Sequence, residues 1–146
     1  MAVSNVTLID ASNLILGRLA SIVAKRLLNG EEIIVINAEK AIISGNKENI
    51  FEDAAKRLEI RTVGSKTKSP KHPRRPEGLI RKTVRGMLPW DKPRGKIAFK
   101  RLKVYIGVPD SVKELHSQTL PKANLTNVQT FKISIGDVAK SIGWNP

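Results

Sequence analysis

The residues with the clearest capacity for binding are the lysines and arginines that crowd the middle of the chain. Between Arg61 and Lys103 there are 15 Lys and Arg residues but only 2 acids, Glu77 and Asp91. Outside this stretch 11 basic and 11 acidic residues cancel, so the whole net charge of +13 arises within it. A surface made for solubility alone intersperses both signs. A block of one sign therefore predicts a polyanionic partner.

The chain around these cations predicts how they are presented. Residues 62–78 contain three prolines at a spacing of three and one large aliphatic residue, Val63. Proline has no backbone N–H to donate and favours extended chain, so we expect an extended basic arm that can follow a track of phosphates. The residues in and beyond this arm that are candidates for contacting a nucleic acid are Arg61, Lys66, Lys68, Lys71, His72, Arg74, Arg75, Arg81, Lys82, Arg85, Lys92, Arg94, Lys96, Lys100 and Arg101.

The residue types favour contact with a nucleic-acid backbone over contact with bases. Trp, Tyr and Phe make up only 4% of the chain, and none stands among the lysines of residues 66–75. A platform for single strands needs exposed aromatic rings, so the backbone of folded RNA is the better match. Charge alone leaves DNA open, but there is no zinc-finger spacing, basic-zipper heptad or helix-turn-helix pattern to read a duplex.

Two carboxylates offer an enzymatic alternative. Asp10 follows the first predicted strand and Glu39 follows the second, and the carboxyl ends of parallel strands share one edge of a sheet. Such a pair beside a basic track could hold magnesium for a nuclease. No third acid recurs at a strand end, however, and no phosphate-loop motif is present. We therefore expect neither catalysis nor a metal, with the nuclease kept as the alternative.

Hydrophobic spacing predicts a βαβ unit at the start of the chain, made of a strand, a helix and a second strand buried on both faces. The expected bounds are 6–10, 16–29 and 33–36. Ser12 or Asn13 can cap the helix, and Gly30 can end it in the left-handed conformation.

The same reasoning places further elements along the rest of the chain. They are helices at 46–61, 79–88 and 93–101, a short helix from 110 to about 115, strands at 103–106 and 131–135, and a helical turn at 138–142. In the second helix Ala54 and Leu58 are expected in the core, and in the fourth Ile97 and Ala98 are expected to face inward. The core is expected to comprise Leu19, Val23, Ile34, Ile36, Ala54 and Leu58.

The helix predicted at 79–88 carries two arginines on one side. Ile80 and Val84 can face the core, which leaves Arg81 and Arg85 four residues apart and projecting together. Like charges at this spacing repel one another. The pair therefore predicts an anion between or beside the two guanidinium groups.

Length and composition indicate one domain of the α/β class. We expect 146 residues with 40% hydrophobic content to form a mostly parallel central sheet of about four strands, flanked by helices, with the basic arm at 62–78 inserted in it. There is no cysteine, no apolar run of the ~20 residues that span a membrane and no signal-like leader. These features are typical of a cytoplasmic protein.

Four segments resemble the large-subunit ribosomal protein L-thirteen family. They are Gly-Arg-Leu-Ala-Ser at 17–21 with Ala-Lys at 24–25, Asn-Ala-Glu-Lys at 37–40 with Ile-Ser-Gly at 43–45, Val-Arg-Gly-Met-Leu-Pro at 84–89, and Val-Tyr-Ile-Gly-Val-Pro at 104–109. They occur in the order of the family. The stretch His-Ser-Gln-Thr-Leu-Pro at 116–121 is similar to a histidine-glutamine-proline stretch of the family, with altered spacing. The compact ending and the absence of cysteine resemble an archaeal-type member.

The resemblance implies an α/β domain that binds large-subunit ribosomal RNA and supports early assembly of the subunit. It implies ribosomal RNA and neighbouring large-subunit proteins as partners. It implies no catalysis, cofactor, membrane contact or small-molecule substrate. Two alternatives stay open beside it, a free-standing RNA chaperone or translational silencer, and the magnesium-dependent nuclease that would use Asp10 and Glu39.

Overall fold

A computed structural model describes residues 6–113, 116–118, 120–124 and 131–146, and within them a mostly parallel sheet is flanked by helices, as predicted. The strands are β1 (Val6–Asp10), β2 (Glu32–Ile36), β3 (Ile42–Ser44), β4 (Leu102–Val104), β5 (Ser117–Gln118) and β6 (Lys132–Ser134). The α-helices are α1 (Leu16–Leu28), α2 (Lys47–Glu59), α3 (Pro76–Gly86), α4 (Pro93–Lys100) and α5 (Ile135–Ser141). Among the described residues no helix is both long and apolar enough to span a bilayer.

The central sheet has the strand order β4-β2-β1-β5, and each neighbouring pair is parallel. Its fourth strand is not the one that the sequence predicts. The predicted strand at 131–135 becomes β6, which pairs antiparallel with β3 in a separate two-stranded sheet. Sequence reasoning missed both β3 and β5, because β3 (Ile-Ile-Ser) does not alternate and β5 (Ser-Gln) contains no apolar residue, so neither shows the period of a half-buried strand.

The two faces of the central sheet are covered unequally. Ile9, Ile33 and Val35 are fully buried in the main core, on the side where α1 packs with α3 and α4. On the opposite side, among the residues that the structure describes, Leu8 and Ile36 form a small cluster with Val112 of a short 3₁₀ helix, and Ile34 is half-buried against them. The prediction that β2 is buried on both faces is therefore wrong at Ile34. The predicted end of the helix at 110–115 lies outside the described residues.

Helix α1 forms the centre of the main core through Leu19, Val23 and Leu27, which are inaccessible to solvent. Its expected N-terminal cap is wrong. The residue before the helix is Ile15, whose apolar side chain cannot cap it. Ser12 lies three residues further upstream, where its hydroxyl donates to Asp10. The predicted helix end is confirmed, since Gly30 has a φ of 100°.

Helix α2 lies on the surface, although its apolar face was expected in the core. It buries no residue, and Ala54 and Leu58 are only half-buried. They line a groove of about 510 Å³ that α2 forms with α3 and α5, where Leu79 and Val138 face them. The helical period correctly located the apolar face but could not show that too few partners cover it.

Helix α3 begins three residues earlier than predicted, at Pro76. Proline is favoured in the first turn of a helix, where its missing N–H would have no partner. Pro76 is fully buried, and a β-carbon added to Gly78 would lie 2.7 Å from the Cβ of Pro73. Residues 76–78 therefore belong to the packed helix and not to an extended arm.

Helix α4 matches its predicted position but not its predicted buried face. Ala98 is buried as expected, whereas Ile97 is 52% exposed and Gly95 is buried in its place. A β-carbon on Gly95 would lie 2.1 Å from the carbonyl oxygen of Pro89, so glycine lets the helix touch the turn before it. This close contact fixes α4 against the turn that connects it to α3.

Candidate nucleic-acid interface

The predicted basic residues fall on three consecutive pieces of structure. These are the loop between α2 and α3, helix α3, and helix α4 with the turns at its two ends. The loop carries Arg61, Lys66, Lys68, Lys71, His72, Arg74 and Arg75; α3 carries Arg81, Lys82 and Arg85; and the third piece carries Lys92, Arg94, Lys96, Lys100 and Arg101. All of them are exposed except His72 and Arg101, which are half-buried.

The loop is ordered by its small polar residues. The backbone N–H of Thr62 donates to the Ser69 hydroxyl at 3.1 Å, and that hydroxyl donates to the carbonyl of Ser65 at 3.2 Å. Lys66 and Lys68 lie within the turn that these bonds close and point into solvent. Hydroxyl groups that bind their own backbone replace the regular hydrogen bonds that prolines exclude.

The end of the loop is tied to helix α3 by two contacts. The His72 Nδ1 and the Lys82 Nζ lie 3.3 Å apart, and the Arg75 Nε lies 2.8 Å from the Glu77 Oε1. Glu77 stands in the first turn of α3, where the helix dipole favours an acid. The charge of Arg75 is therefore partly neutralised by Glu77 within the fold.

Helix α3 is tied to α4 by arginines that lie over aromatic rings. The guanidinium carbon of Arg85 lies 4.1 Å from the centre of the Trp90 ring, and that of Arg81 lies 5.1 Å from the centre of the Phe99 ring. The two rings meet edge to face, with centres 5.4 Å apart and planes at 85°. The predicted repulsion between Arg81 and Arg85 is thus offset by ring faces within the protein.

Most charges of the interface have no acidic partner in the described ranges. Arg75 is the one candidate cation there that lies within 4 Å of a carboxylate. Arg101 has no carboxylate partner among the described residues either, but its Nη1 donates a hydrogen bond to the Leu27 carbonyl at the end of α1, at 3.5 Å. The remaining lysines and arginines leave a surface of uncompensated positive charge.

Sequence reasoning missed Trp90 and Phe99 as parts of this surface. Both are half-buried, and Phe99 also packs against the main core. Their types are visible in the sequence, but Phe99 comes 18 positions after Arg81. Only the packing of α4 on α3 brings that ring to its arginine.

The carboxylates of the nuclease hypothesis are engaged by the fold. The Asp10 Oδ1 accepts from the Ser12 backbone N–H at 2.9 Å, the Ser12 hydroxyl at 2.7 Å and the Asn37 amide at 3.0 Å. The Glu39 Oε2 accepts from the Gly107 backbone N–H at 3.0 Å. No group of three His, Asp or Glu side chains placed to hold a metal ion occurs in the part of the chain that the structure describes.

Burial raises the pKa of the Asp10 carboxyl, but its hydrogen bonds and the nearby charge of Lys40 together lower it by more. The bond from the Ser12 backbone N–H contributes most, followed by those from the Asn37 amide and the Ser12 hydroxyl, and the charge of Lys40 adds to them. The pKa of Asp10 therefore lies below its ordinary value. A carboxylate held in this way is a structural part of the turn after β1.

The comparison with known families decides what kind of protein this is. Residues 4–111 match the family described as Ribosomal protein L13, which is most of the chain. The chain belongs to this family. The match contains all four segments, between residues 17 and 109, on which the resemblance was based.

Archaeal relatives extend the match to nearly the whole chain. A Large ribosomal subunit protein uL13 from Methanococcus maripaludis is 51% identical over 141 residues, 92% of this chain and 96% of the relative. Proteins of the same name from Methanococcoides burtonii and Archaeoglobus fulgidus are each 46% identical, over 94% of this chain and over 97% and 88% of their own lengths. These relatives confirm the predicted archaeal-type member.

Membership in the family rejects the enzymatic alternative. Proteins of the ribosomal protein L13 family are structural components and not enzymes. The bonds that occupy Asp10 and Glu39 agree with this, because each carboxylate already stabilises a turn. The hypothesis of a magnesium-dependent nuclease is wrong.

Proposed function

We propose that residues 61–103 bind large-subunit ribosomal RNA and that this binding supports early assembly of the large subunit. The archaeal relatives are named as large ribosomal subunit proteins, and this chain is a structural ribosomal component of the same kind. Its partners would then be large-subunit ribosomal RNA and neighbouring ribosomal proteins, with the RNA held by the basic side chains.

The proposal depends on one observation. The basic residues without an acidic partner in the described ranges lie on three pieces of structure that contact one another. Contacts from His72 and Arg75 join the loop to α3, and contacts from Arg81 and Arg85 join α3 to α4 and the turn before it. Phosphate groups spaced along an RNA backbone need such a continuous positive surface, and counterion release on binding favours the complex.

The salt dependence of RNA binding tests this proposal. If about 6 to 10 phosphates are engaged, affinity for large-subunit ribosomal RNA transcribed in vitro should fall by roughly 10³ to 10⁵ between 50 and 200 mM salt. Filter binding over this range measures the slope, with duplex DNA of similar length as the control. A nearly flat slope would contradict the proposal.

Sedimentation separates a subunit component from a free-standing RNA chaperone or silencer. In a sucrose gradient of native lysate the protein should travel with the large subunit and stay there in moderate salt. Recovery mainly in the light fractions would favour the free-standing protein instead. The role in early assembly is tested by leaving the protein out of a reconstitution and then adding it late, which should not restore the yield of complete subunits.

A further inference from the structure

Helix α3 presents two guanidinium groups that are held side by side on aromatic rings. Arg81 and Arg85 are one helical turn apart, and each lies over its own ring, Phe99 and Trp90 respectively. We propose that Arg81 and Arg85 form a paired phosphate site for the RNA backbone, with Phe99 and Trp90 as positioning residues. This inference rests on the proposed RNA binding of residues 61–103 and deepens it.

The rings make the close pair of arginines possible before any RNA is bound. Side chains at i and i+4 of a helix are neighbours, so two positive charges there destabilise the free protein. The negative face of an aromatic ring attracts a cation, and this attraction offsets the repulsion. The pair thus stays in place without an acid that would compete with phosphate. No carboxylate in the described ranges lies within 4 Å of either guanidinium group.

The donors of both guanidinium groups remain available to a ligand. An arginine that lies over a ring uses its face, whereas its five N–H groups lie in its plane. Neither Arg81 nor Arg85 donates a hydrogen bond to another described residue, and both side chains are exposed. Planar N–H pairs match two oxygens of a phosphate, which is the geometry that arginine binds best.

The two rings form a rigid base for this site. Trp90 lies in the turn before α4 and Phe99 within α4, and they contact each other edge to face. The close contact between Gly95 and the carbonyl of Pro89 fixes that turn against the helix. Because each ring has an arginine over one face, we assign the rings to the support of cations and not to the stacking of bases.

Charge-conserving variants test the site without altering the number of phosphates contacted. Arg85→Lys keeps the charge but loses the planar donors, and Trp90→Leu keeps an apolar side chain but loses the ring. Each should weaken binding of large-subunit ribosomal RNA about twofold to fivefold with the salt slope unchanged, because Trp90→Leu loses one exposed ring–cation contact and Arg85→Lys loses the paired donors. Trp90→Phe should restore most of the affinity. Arg57→Lys, at an exposed arginine of α2 that lies outside residues 61–103 and has no ring beneath it, is the matched control and should bind as wild type.

A double variant separates positioning from mere structural support. If Trp90 acts through Arg85, Trp90→Leu should add little to the loss already caused by Arg85→Lys, whereas independent effects would multiply. Thermal melting of every variant excludes loss of folded protein as the cause. Multiplying losses, or wild-type affinity in both single variants, would overturn the paired site.

The salt slope of RNA binding distinguishes a failure of the paired phosphate site from a failure of the proposed RNA binding. Arg85→Gln removes one charge and should lower the salt slope by about 0.9 if that side chain meets a phosphate. An unchanged slope, with the wild-type slope still steep, would overturn the site at Arg85 and leave RNA binding by other residues intact. A flat slope for the wild type would contradict the proposed function itself.

Discussion

Asp10 illustrates at the scale of one residue how a position typical of catalysis can serve the fold. It stands at the carboxyl edge of a parallel sheet, where α/β enzymes place their ligands. Three hydrogen bonds from Ser12 and Asn37 converge on one of its oxygens. Asn37 has a φ of 54°, a left-handed backbone conformation that asparagine tolerates better than most residues. At this edge of the sheet, Asp10, Ser12 and Asn37 therefore form hydrogen bonds with one another.

The lowered pKa of Asp10 leads to a prediction about stability and pH. Because the pKa is lower in the folded state, its stabilisation is complete above the unfolded-state pKa of about 3.9 and is lost as pH falls through the folded-state value. Asp10→Asn should therefore reduce the free energy of unfolding by about 1 kcal/mol at pH 7, and by progressively less below about pH 4. Urea unfolding from pH 3 to pH 7 measures this difference. Asp53→Asn, at an exposed residue of α2, is the control, and a difference independent of pH would contradict the assignment.

At the scale of elements, the boundary between the basic loop and α3 shows which cations belong to the surface. Helix α3 begins at Pro76, and the Arg75–Glu77 ion pair lies across that boundary. Lys66, Lys68 and Lys71 are exposed in the loop before it. The charges of these three lysines can be removed without loss of packed apolar surface. Removal of the Arg75 charge is expected to destabilise the fold, because it would leave Glu77 without its partner.

A fourfold variant of the loop tests this division. This variant replaces four basic residues of the loop with Ser or Gln, namely Lys66, Lys68, Lys71 and Arg74. Its melting temperature should differ only slightly from that of the wild type. It should lose most of its RNA affinity and enter large subunits poorly. Ile33→Ala is the comparison, because Ile33 is fully buried and its loss should cost about 2–5 kcal/mol through the cavity it leaves. If the fourfold variant unfolds as readily as Ile33→Ala, the loop belongs to the core. If it folds and incorporates normally, the cations of α3 and α4 become the main RNA contacts.

At the scale of the whole molecule, the net charge of +13 has a cost for the free protein. The excess arises within residues 61–103, and Arg75 is the one interface cation in the described ranges with an acid within 4 Å. Like charges that crowd one part of a surface repel one another and destabilise the compact state. RNA would remove this repulsion on binding, so the charge that weakens the free protein strengthens the complex.

Salt should therefore act on stability and on binding in opposite directions. Raising NaCl from about 10 to 200 mM screens charges beyond the Debye length, which falls below roughly 10 Å in that range. The melting temperature of the free protein should rise over this range while its RNA affinity falls. The fourfold loop variant, with less repulsion to screen, should show a smaller rise. Equal rises of the melting temperature in the two proteins would mean that the charges of the loop do not destabilise the free protein.

The properties that the sequence by itself determined are those that depend on residue type and near neighbours. The period of apolar residues located the βαβ unit and most helices, because a helix or strand that packs on a core repeats its contacts every 3.6 or 2 residues. The one-sided charge of residues 61–103 and the four family segments can also be read without coordinates. Together they were sufficient for the fold class and the family.

The tertiary structure decided which residues meet across the chain. It placed β6 against β3 and left α2 on the surface, because strand pairing and burial depend on partners far away in sequence. It also set Trp90 and Phe99 beneath the arginines of α3, a contact that requires α4 to pack at one position against α3. Local patterns specify charge and amphipathic faces, whereas the partner of each face is chosen only when the whole chain packs.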